Sequence, residues 1–185
     1  MKTFASILLI FFCSVVTINA QPNMHVGLSA IVALPMGTFG DVSGTGFGAV
    51  GSYEVGFGNN LSAVGQIGYI SWAAKDAGDY GFSYSAVPVL VGVKYYITPG
   101  SGLYLNSSVG FHFFSVSSDV PTYSFGGITI GGGSASASST DFTFIAGAGY
   151  EIPLNNKFAL DIGAAYNLVS ETNYISIHAG GKMGL

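Results

Sequence analysis

The chain has 185 residues, of which 49% are apolar, only 8% are charged and 28 are glycine. Soluble globular domains carry about 25% charged residues, and disordered chains combine low hydropathy with high charge, so this composition fits neither class. The sequence contains nine acidic residues, five lysines and no arginine, which excludes a protein that binds the phosphate backbone of a nucleic acid.

The N-terminus has the pattern of a secretory signal peptide. An apolar run from Phe4 to Val16 follows a lysine, and Ala20 supplies the small residue expected before a cleavage site. The run is shorter than the roughly 20 residues of a membrane-spanning helix, so an uncleaved anchor helix is the weaker alternative. We therefore expect a cleaved signal peptide over residues 1–20 and a single mature domain over residues 21–185. The only cysteine lies in the signal peptide, so the mature chain has no thiol chemistry.

Eight segments of the mature chain alternate between apolar residues and polar or small ones, which indicates strands with two different faces. In the seventh segment, Leu160, Ile162 and Tyr166 fall on one face, and Asp161 and Asn167 fall on the other. Each segment is long enough for the roughly 9–11 residues with which a tilted strand crosses a bilayer. The segments are residues 24–34, 46–57, 61–73, 83–97, 103–117, 141–152, 157–169 and 174–185.

The connections between these segments alternate in length. Short turns rich in Asn, Gly and Pro, as tight hairpins require, are expected at residues 58–60, 98–102 and 153–156. The other connections are mostly longer and occupy residues 35–45, 74–82, 118–140 and 170–173. This asymmetry is typical of outer-membrane barrels, in which the short turns are periplasmic and the longer loops are extracellular.

The face of each segment opposite the apolar one favours a barrel over a soluble sandwich. It carries small and polar residues with few charges, whereas a sheet surface exposed to water usually has many lysines and glutamates. Lipid outside a narrow, packed interior explains both faces, and an even number of strands closes without an unpaired edge. We therefore predict an all-β fold, an eight-stranded antiparallel up-and-down transmembrane β-barrel.

The stretch VPVLVGVKYY contains one lysine within a run of valines and tyrosines. If Val91, Val93 and Tyr95 face lipid, Lys94 lies on the other face and points into the barrel. A charge that faces lipid at the membrane midplane costs about 2–4 kcal/mol, so the same alternation should hold for the other charged residues of the strands. Those near a short turn or the C-terminus are predicted to form an ion-pair cluster in the periplasmic half of the lumen. They are Glu54, Lys94, Glu151, Asp161 and Lys182.

The stretches LPMGTFGDVSGTGFGAVGSYEVGFGNNLSAVGQIGYISW and AVPVLVGVKYYI make the mature chain resemble the small OmpA/OmpX-type outer-membrane β-barrels, in particular those with an outer membrane protein β-barrel domain. The resemblance implies the barrel fold and a location in the bacterial outer membrane. It also implies two partners, the lipid of that membrane and the barrel assembly machinery.

The last eight residues, HAGGKMGL, resemble the C-terminal assembly signal of these barrels. That signal has a polar residue, a glycine two positions later, and hydrophobic residues at the third-last and last positions. His178, Gly180, Met183 and Leu185 occupy those positions in this sequence. Leu185 departs from the family pattern, which usually ends in phenylalanine.

We expect neither catalysis nor metal binding. No nucleophile motif is visible, and Asp161 lies toward the wrong end of the barrel to orient His112. The three histidines are far apart in sequence and lack the spacing of metal ligands. Asp76 and Asp79 are better explained as a solvated acidic loop than as a calcium site. The sequence therefore predicts no enzyme, no cofactor and no metal.

Two hypotheses for the function stay open. The first is a structural or surface-interaction role through the extracellular loops, with a lumen filled by side chains such as Leu90, Tyr96, Tyr104 and Phe114. It is favoured because an eight-stranded barrel has an interior just wide enough for side chains. The alternative is a narrow channel for small solutes, opened by the many inward-facing glycines.

The longest loop, from Ser118 to Thr140, is the candidate contact for an extracellular protein. Its sequence YSFGGITI suits two short strands joined at Gly126-Gly127, followed by a flexible Gly/Ser return. Such a hairpin either binds a partner by strand addition or is mobile without a partner. The chain itself is expected to be a monomer.

Overall fold

The computed structural model describes residues 24–58, 60–75, 81–98, 100–125, 128–170 and 172–185. The predicted signal peptide, Asp76 and Asp79 lie outside these residues. Within the described part of the chain, no helix is long and apolar enough to cross a membrane. The elements are β1 (Met24–Pro35), α1 (Gly37–Val42), β2 (Ser43–Phe57), β3 (Leu61–Ala74), β4 (Gly81–Tyr96), β5 (Leu103–Phe125), β6 (Ile128–Pro153), β7 (Phe158–Val169) and β8 (Tyr174–Gly184).

The strands close into one barrel in which each strand pairs with its neighbours in chain order. All pairs are antiparallel, and β1 closes the barrel on β8 from His25↔Gly184 to Pro35↔Tyr174. All eight predicted segments form strands, so the predicted fold class is confirmed. Closure matters in hydrocarbon, where an unpaired backbone group has no water to bond.

Tight turns join the strands at one end of the barrel, which we call the turn end. Gly58, Gly100 and Gly102 have φ angles of 76°, 78° and 74°, a region that residues with a side chain rarely adopt. Between β6 and β7, the Asn155 side-chain oxygen accepts hydrogen bonds of 2.9 Å from two backbone N–H groups of the turn. The short predicted turns are therefore confirmed, and the chain uses Gly and Asn there for their local conformations.

The first connection at the opposite end, the loop end, differs from the predicted loop over residues 35–45. It contains α1, and β2 already begins at Ser43. Phe39 on α1 is buried, with its ring centroid 5.6 Å from that of Trp72 and 6.0 Å from that of Tyr84. The Lys75 ammonium also donates a hydrogen bond to the carbonyl of Gly40. Burial of one aromatic ring explains why this segment folds back onto the barrel.

The connection over residues 118–140 also differs from the prediction. Strands β5 and β6 continue past their neighbours as a hairpin, paired from Asp119↔Ser134 to Phe125↔Ile128 in one register. The predicted pair of extending strands is confirmed, but the predicted flexible Gly/Ser return is wrong, because that segment belongs to β6. Ladder hydrogen bonds use backbone groups alone, so small residues pair well when β5 supplies a partner.

Side chains alternate between outside and inside along the barrel strands, as the sequence predicts. On β4, Val91 is 54% exposed and Lys94 is 6% exposed. The apolar outer surface ends at the loop end in a row of serines that pair across β3 to β6, namely Ser71, Ser85, Ser115 and Ser138. At the turn end it is bordered by the exposed rings of Tyr53, Tyr95, Tyr150 and Phe158.

The height of this apolar belt fits an outer membrane. On β4 the belt runs from Tyr95 to Val87, next to Ser85. At about 3.3 Å per residue and a strand tilt of about 40°, this stretch spans roughly 20 Å, close to the ~25 Å apolar band of bacterial barrels. The hairpin of β5 and β6 lies beyond it, on the loop side.

Candidate functional site

The structure brings together all five residues of the predicted ion-pair cluster. They come from five different strands, and each occupies an inward position near the turn end. The Lys94 ammonium lies 3.0 Å from a carboxylate oxygen of Glu151, 3.0 Å from one of Asp161 and 3.4 Å from one of Glu54. The Lys182 ammonium lies 2.8 Å from both Glu54 and Glu151. The two lysines therefore share Glu54 and Glu151.

Two tyrosines belong to the same cluster, although the sequence predicted them only as lumen filling. The Tyr96 hydroxyl lies 2.9 Å from carboxylate oxygens of both Glu54 and Glu151, and it accepts a 3.1 Å hydrogen bond from Lys182. The Tyr104 hydroxyl donates a 2.6 Å hydrogen bond to Asp161. We call the resulting set the polar layer. It comprises Glu54, Lys94, Tyr96, Tyr104, Glu151, Asp161 and Lys182.

The polar layer is buried, and its charges depend on one another. Lys94, for instance, contacts three carboxylates and lies 4.2 Å from the centroid of the Tyr104 ring. Burial removes water from each charge, so attraction to several partners has to offset a large desolvation cost. His178 adds a further contact, since its Nε2 atom is 3.6 Å from Asp161. Three carboxylates and two lysines leave the layer one negative charge in excess.

A second set of buried side chains fills the lumen at the loop end. It consists of Phe39, Ile70, Trp72, Phe114 and Tyr174, which we call the aromatic layer. The Trp72 ring packs edge-on against Tyr174, with 5.5 Å between centroids. His112 stacks on Phe114 and lies 2.7 Å from the Tyr174 hydroxyl. Gly46 leaves room for the indole, because a Cβ at that position would collide with Trp72.

Two open spaces adjoin these layers, one between them and one at the turn end. A cavity of about 70 Å³ separates them and touches Lys94 and Asp161 on one side and Ile70 and Tyr174 on the other. A vestibule of about 320 Å³ opens at the turn end, with Glu54, Glu151 and Lys182 among its lining residues. Side chains therefore fill the lumen at two separate levels.

The residues of the predicted assembly signal take separate positions on β8 and beyond it. His178 lies in the lumen beside Asp161, and Gly180 packs closely against the backbone of Leu28 and Ser29. Met183 and Leu185 are exposed on the outside, and the Leu185 N–H donates a 2.9 Å hydrogen bond to Met24. The structure does not bring these residues together as a site.

Among the described residues, His112 and Asp161 are not arranged as a catalytic pair. His112 contacts Tyr174 at the loop end, whereas Asp161 contacts Lys94, Tyr104 and His178 in the polar layer. Among the described residues, no group of three or more His, Cys, Asp or Glu side chains is arranged to hold a metal ion.

No family model matches the sequence, and no curated protein sequence matches it. Solved structures do match its fold. A major outer membrane protein from Thermus thermophilus matches with a TM-score of 0.59 at 11% identity, over 88% of this chain and 99% of its own. Ail, the attachment invasion locus protein of Yersinia pestis, matches with a TM-score of 0.57 at 14% identity, over 89% of this chain and 97% of its own. Neisserial surface protein A matches with a TM-score of 0.55 at 17% identity, over 88% and 97%.

The closed barrel, its apolar belt and these likenesses define the class of the protein. The chain has the fold of the small OmpA/OmpX-type outer-membrane β-barrels, as the sequence resemblance implied. The predicted location in the bacterial outer membrane follows from this fold and from the belt, since such a surface is stable only against lipid.

Proposed function

We propose that this protein is a non-enzymatic, monomeric outer-membrane barrel that does not conduct solutes and acts at the cell surface through its extracellular segments. The observation that carries the proposal is the filling of the lumen at two levels, by the polar layer and by the aromatic layer. With the interior occupied, the surface beyond the membrane is the part of the molecule that is free to contact partners.

The hairpin of β5 and β6 is the main contact surface in this proposal. It continues from the serine row at Ser138 to Ile128, which is roughly 30 Å along the strand at about 3.3 Å per residue. In comparison, the β7–β8 connection at the same end is only a few residues long. The hairpin is therefore the element that reaches farthest from the membrane among the described residues.

The negative charge of the loop end indicates which class of partner it can bind. Three of the nine acidic residues lie in the polar layer. Among the described residues, Asp41, Asp119 and Asp141 lie at the loop end, where Lys75 is the only lysine. Ail is described in complex with the heparin analogue sucrose octasulfate, a polyanion. A polyanion would be repelled by the acidic loop end of this chain, so we propose a different class of partner here.

Export and assembly complete the proposal. Residues 1–20 act as a cleaved signal peptide, and His178, Gly180, Met183 and Leu185 are read by the barrel assembly machinery. A C-terminal Leu185→Phe variant should assemble at least as fast as the wild type in cells, because it restores the residue that usually ends such signals. The rate at which the folded barrel appears after induction measures this effect.

Two measurements test the proposal. The purified protein in a planar bilayer should give no steady single-channel steps. Cells that display the protein should adhere to at least one member of a panel of protein-coated surfaces. A variant in which Gly-Gly replaces residues 120–133 keeps the Asp119↔Ser134 pair and should remove that adhesion. Equal surface amounts of both proteins, shown by a band that shifts on boiling, serve as the control.

A narrow channel is the second candidate function. It is favoured by the cavity of about 70 Å³ between the two layers and by the vestibule of about 320 Å³ at the turn end. Reproducible conductance steps of the wild-type protein would establish this function and refute the filled-lumen proposal. Adhesion that persists after shortening of the hairpin would instead refute the hairpin as the contact surface.

A further inference from the structure

One edge of the β5–β6 hairpin has no partner strand among the described residues. Strand β6 pairs with β7 only from Thr143 onward, whereas its pairing with β5 continues to Ile128. Residues 128–142 of β6 therefore form an edge, most of it beyond the serine row. In such an edge strand, every second residue directs its N–H and C=O groups away from the sheet. We call this stretch the open edge.

The open edge lacks the features with which proteins usually prevent strand addition. Charged residues, prolines and bulges commonly protect such edges. Residues 128–140 contain no charged residue and no proline, and their register with β5 is constant. The opposite edge of the hairpin is different. It is unpaired only beyond Asp119 and contains Pro121, which cannot donate a ladder hydrogen bond.

The composition of the open edge favours recognition through the backbone. Residues 131–140 are exclusively Gly, Ser, Ala and Thr. Such small side chains provide few side-chain contacts for a partner, so an added strand would gain its affinity from main-chain hydrogen bonds. Selectivity then has to come from the surroundings of the edge.

Those surroundings are acidic. Asp141 lies in β6 at the base of the open edge, and Asp41 is exposed on α1. Asp119 of β5 pairs with Ser134 of the open edge. Among the described residues, Lys75 is the lysine of the loop end, and it donates a hydrogen bond to the Gly40 carbonyl. A segment that carries Lys or Arg therefore meets complementary charge beside the open edge.

We propose that the open edge binds an extended, Lys- or Arg-containing polypeptide segment of another protein as an added β-strand. This inference rests on the proposed surface role and names the chemistry of its partner. Main-chain pairing holds the segment, and the acidic loop end selects for its positive charge. The hairpin thus works as a template for cationic strands.

Three synthetic peptides test the proposal on the purified, full-length mature barrel in detergent micelles. The probe is a ten-residue peptide of alternating Thr and Lys, labelled for fluorescence anisotropy. The second peptide has Glu in place of Lys, and the third has Pro in place of Thr, which keeps the charge but prevents strand pairing. Only the Thr/Lys probe should bind.

Matched variants locate the contact. Ser136 and Ser138 lie on the open edge, and they pair directly with Ser117 and Ser115 of the central strand β5. The double variant Ser136→Lys/Ser138→Lys places charges directly opposite the probe and should weaken its binding by roughly tenfold. The variant Ser115→Lys/Ser117→Lys adds the same charge one strand farther away and should retain most of the affinity. A band that shifts on boiling verifies folding of both.

Each alternative outcome overturns a defined part of the inference. Equal binding of the Pro peptide means electrostatic attraction without strand addition, and equal binding of the Glu peptide removes the charge selectivity. Equal weakening by the two double variants means that the open edge is not the contact. If no peptide binds while adhesion of cells still depends on the hairpin, the inference fails and the proposed function stands.

Discussion

The position of Lys94 shows which face of its strand lines the lumen. Its neighbours Val93 and Tyr95 are exposed on the apolar surface, while its ammonium contacts three carboxylates. A lysine in this stretch is stable only because strand alternation turns it away from lipid. The same argument holds for Lys182, whose neighbours Gly181 and Met183 are exposed.

Removal of the Lys94 charge should destabilise the barrel. Lys94→Met leaves three carboxylates of the polar layer with one lysine, and we expect the free energy of unfolding to fall by about 3–5 kcal/mol. Urea titration in micelles measures this change. Adding Asp161→Asn should restore part of the loss, because it removes the carboxylate that Lys182 does not contact. A Lys94→Met barrel as stable as the wild type would contradict the ion-pair network.

Two adjacent glycines on β8, Gly180 and Gly181, allow a test that distinguishes close packing from recognition by the assembly machinery. A Cβ at Gly180 would collide with the Leu28 carbonyl and with Ser29, whereas a Cβ at Gly181 would meet no atom within 4 Å. Gly180→Ala should therefore lower the yield of refolding in detergent, and Gly181→Ala should not. The refolded fraction is read from the band that shifts on boiling. A Gly180→Ala defect seen only in cells would instead indicate a role in recognition by the assembly machinery.

Each strand of the barrel contacts lipid on one face and lines the lumen with the other. Strand β4 presents Val89, Val91 and Val93 to lipid, while Leu90 and Lys94 face the lumen. A shift of one residue in register would exchange the two faces, so burial of Lys94 and exposure of the valines specify the same register. Strands β5 and β6 follow this rule up to the serine row and then continue beyond it as a paired hairpin.

The depth of a lipid-facing position should decide the cost of a charge there. Val91 lies in the middle of the belt, and Leu103 lies at its border near the turn end. Val91→Lys is expected to lower the free energy of unfolding from lipid vesicles by about 2–4 kcal/mol, and Leu103→Lys by about 0–1 kcal/mol. Urea titrations in vesicles compare the two. Equal costs would mean that the limits assigned to the belt are wrong.

For the whole molecule, the two layers make the lumen doubly closed. They are separated by the small cavity, so opening one layer leaves the other in place. This arrangement also distributes the stabilising contacts, with ion pairs at the turn end and aromatic packing at the loop end.

Conductance should appear only when both layers are opened. Trp72→Ala thins the aromatic layer, and Tyr96→Ala removes a ring and a hydroxyl from the polar layer. Each single variant should be silent in planar bilayers, and the double variant should give steady steps. The shift on boiling confirms that all three variants are folded. Steps from either single variant would show that one layer alone seals the lumen.

Most of the barrel and part of the polar layer are predictable from the sequence. The turns at Gly58 and Gly100 and the inward position of Glu54 follow from local patterns of two to five residues. The same alternation predicts that Tyr96 and Tyr104 point inward. Their bonds to Glu54, Glu151 and Asp161 depend on the positions of other strands, which a local pattern does not encode.

Local sequence patterns specify the number of strands, their two faces and which charged residues point inward, because lipid and lumen impose a period of two on each strand. Which of these residues meet depends on the tertiary structure. Lys182 contacts Glu54 only because closure of the barrel places β8 and β2 on either side of β1. The inward fold of α1 and the length of the hairpin also depend on the tertiary structure, since both require contacts with distant segments. Cross-strand register and closure are properties of the whole chain, and no single stretch of sequence contains them.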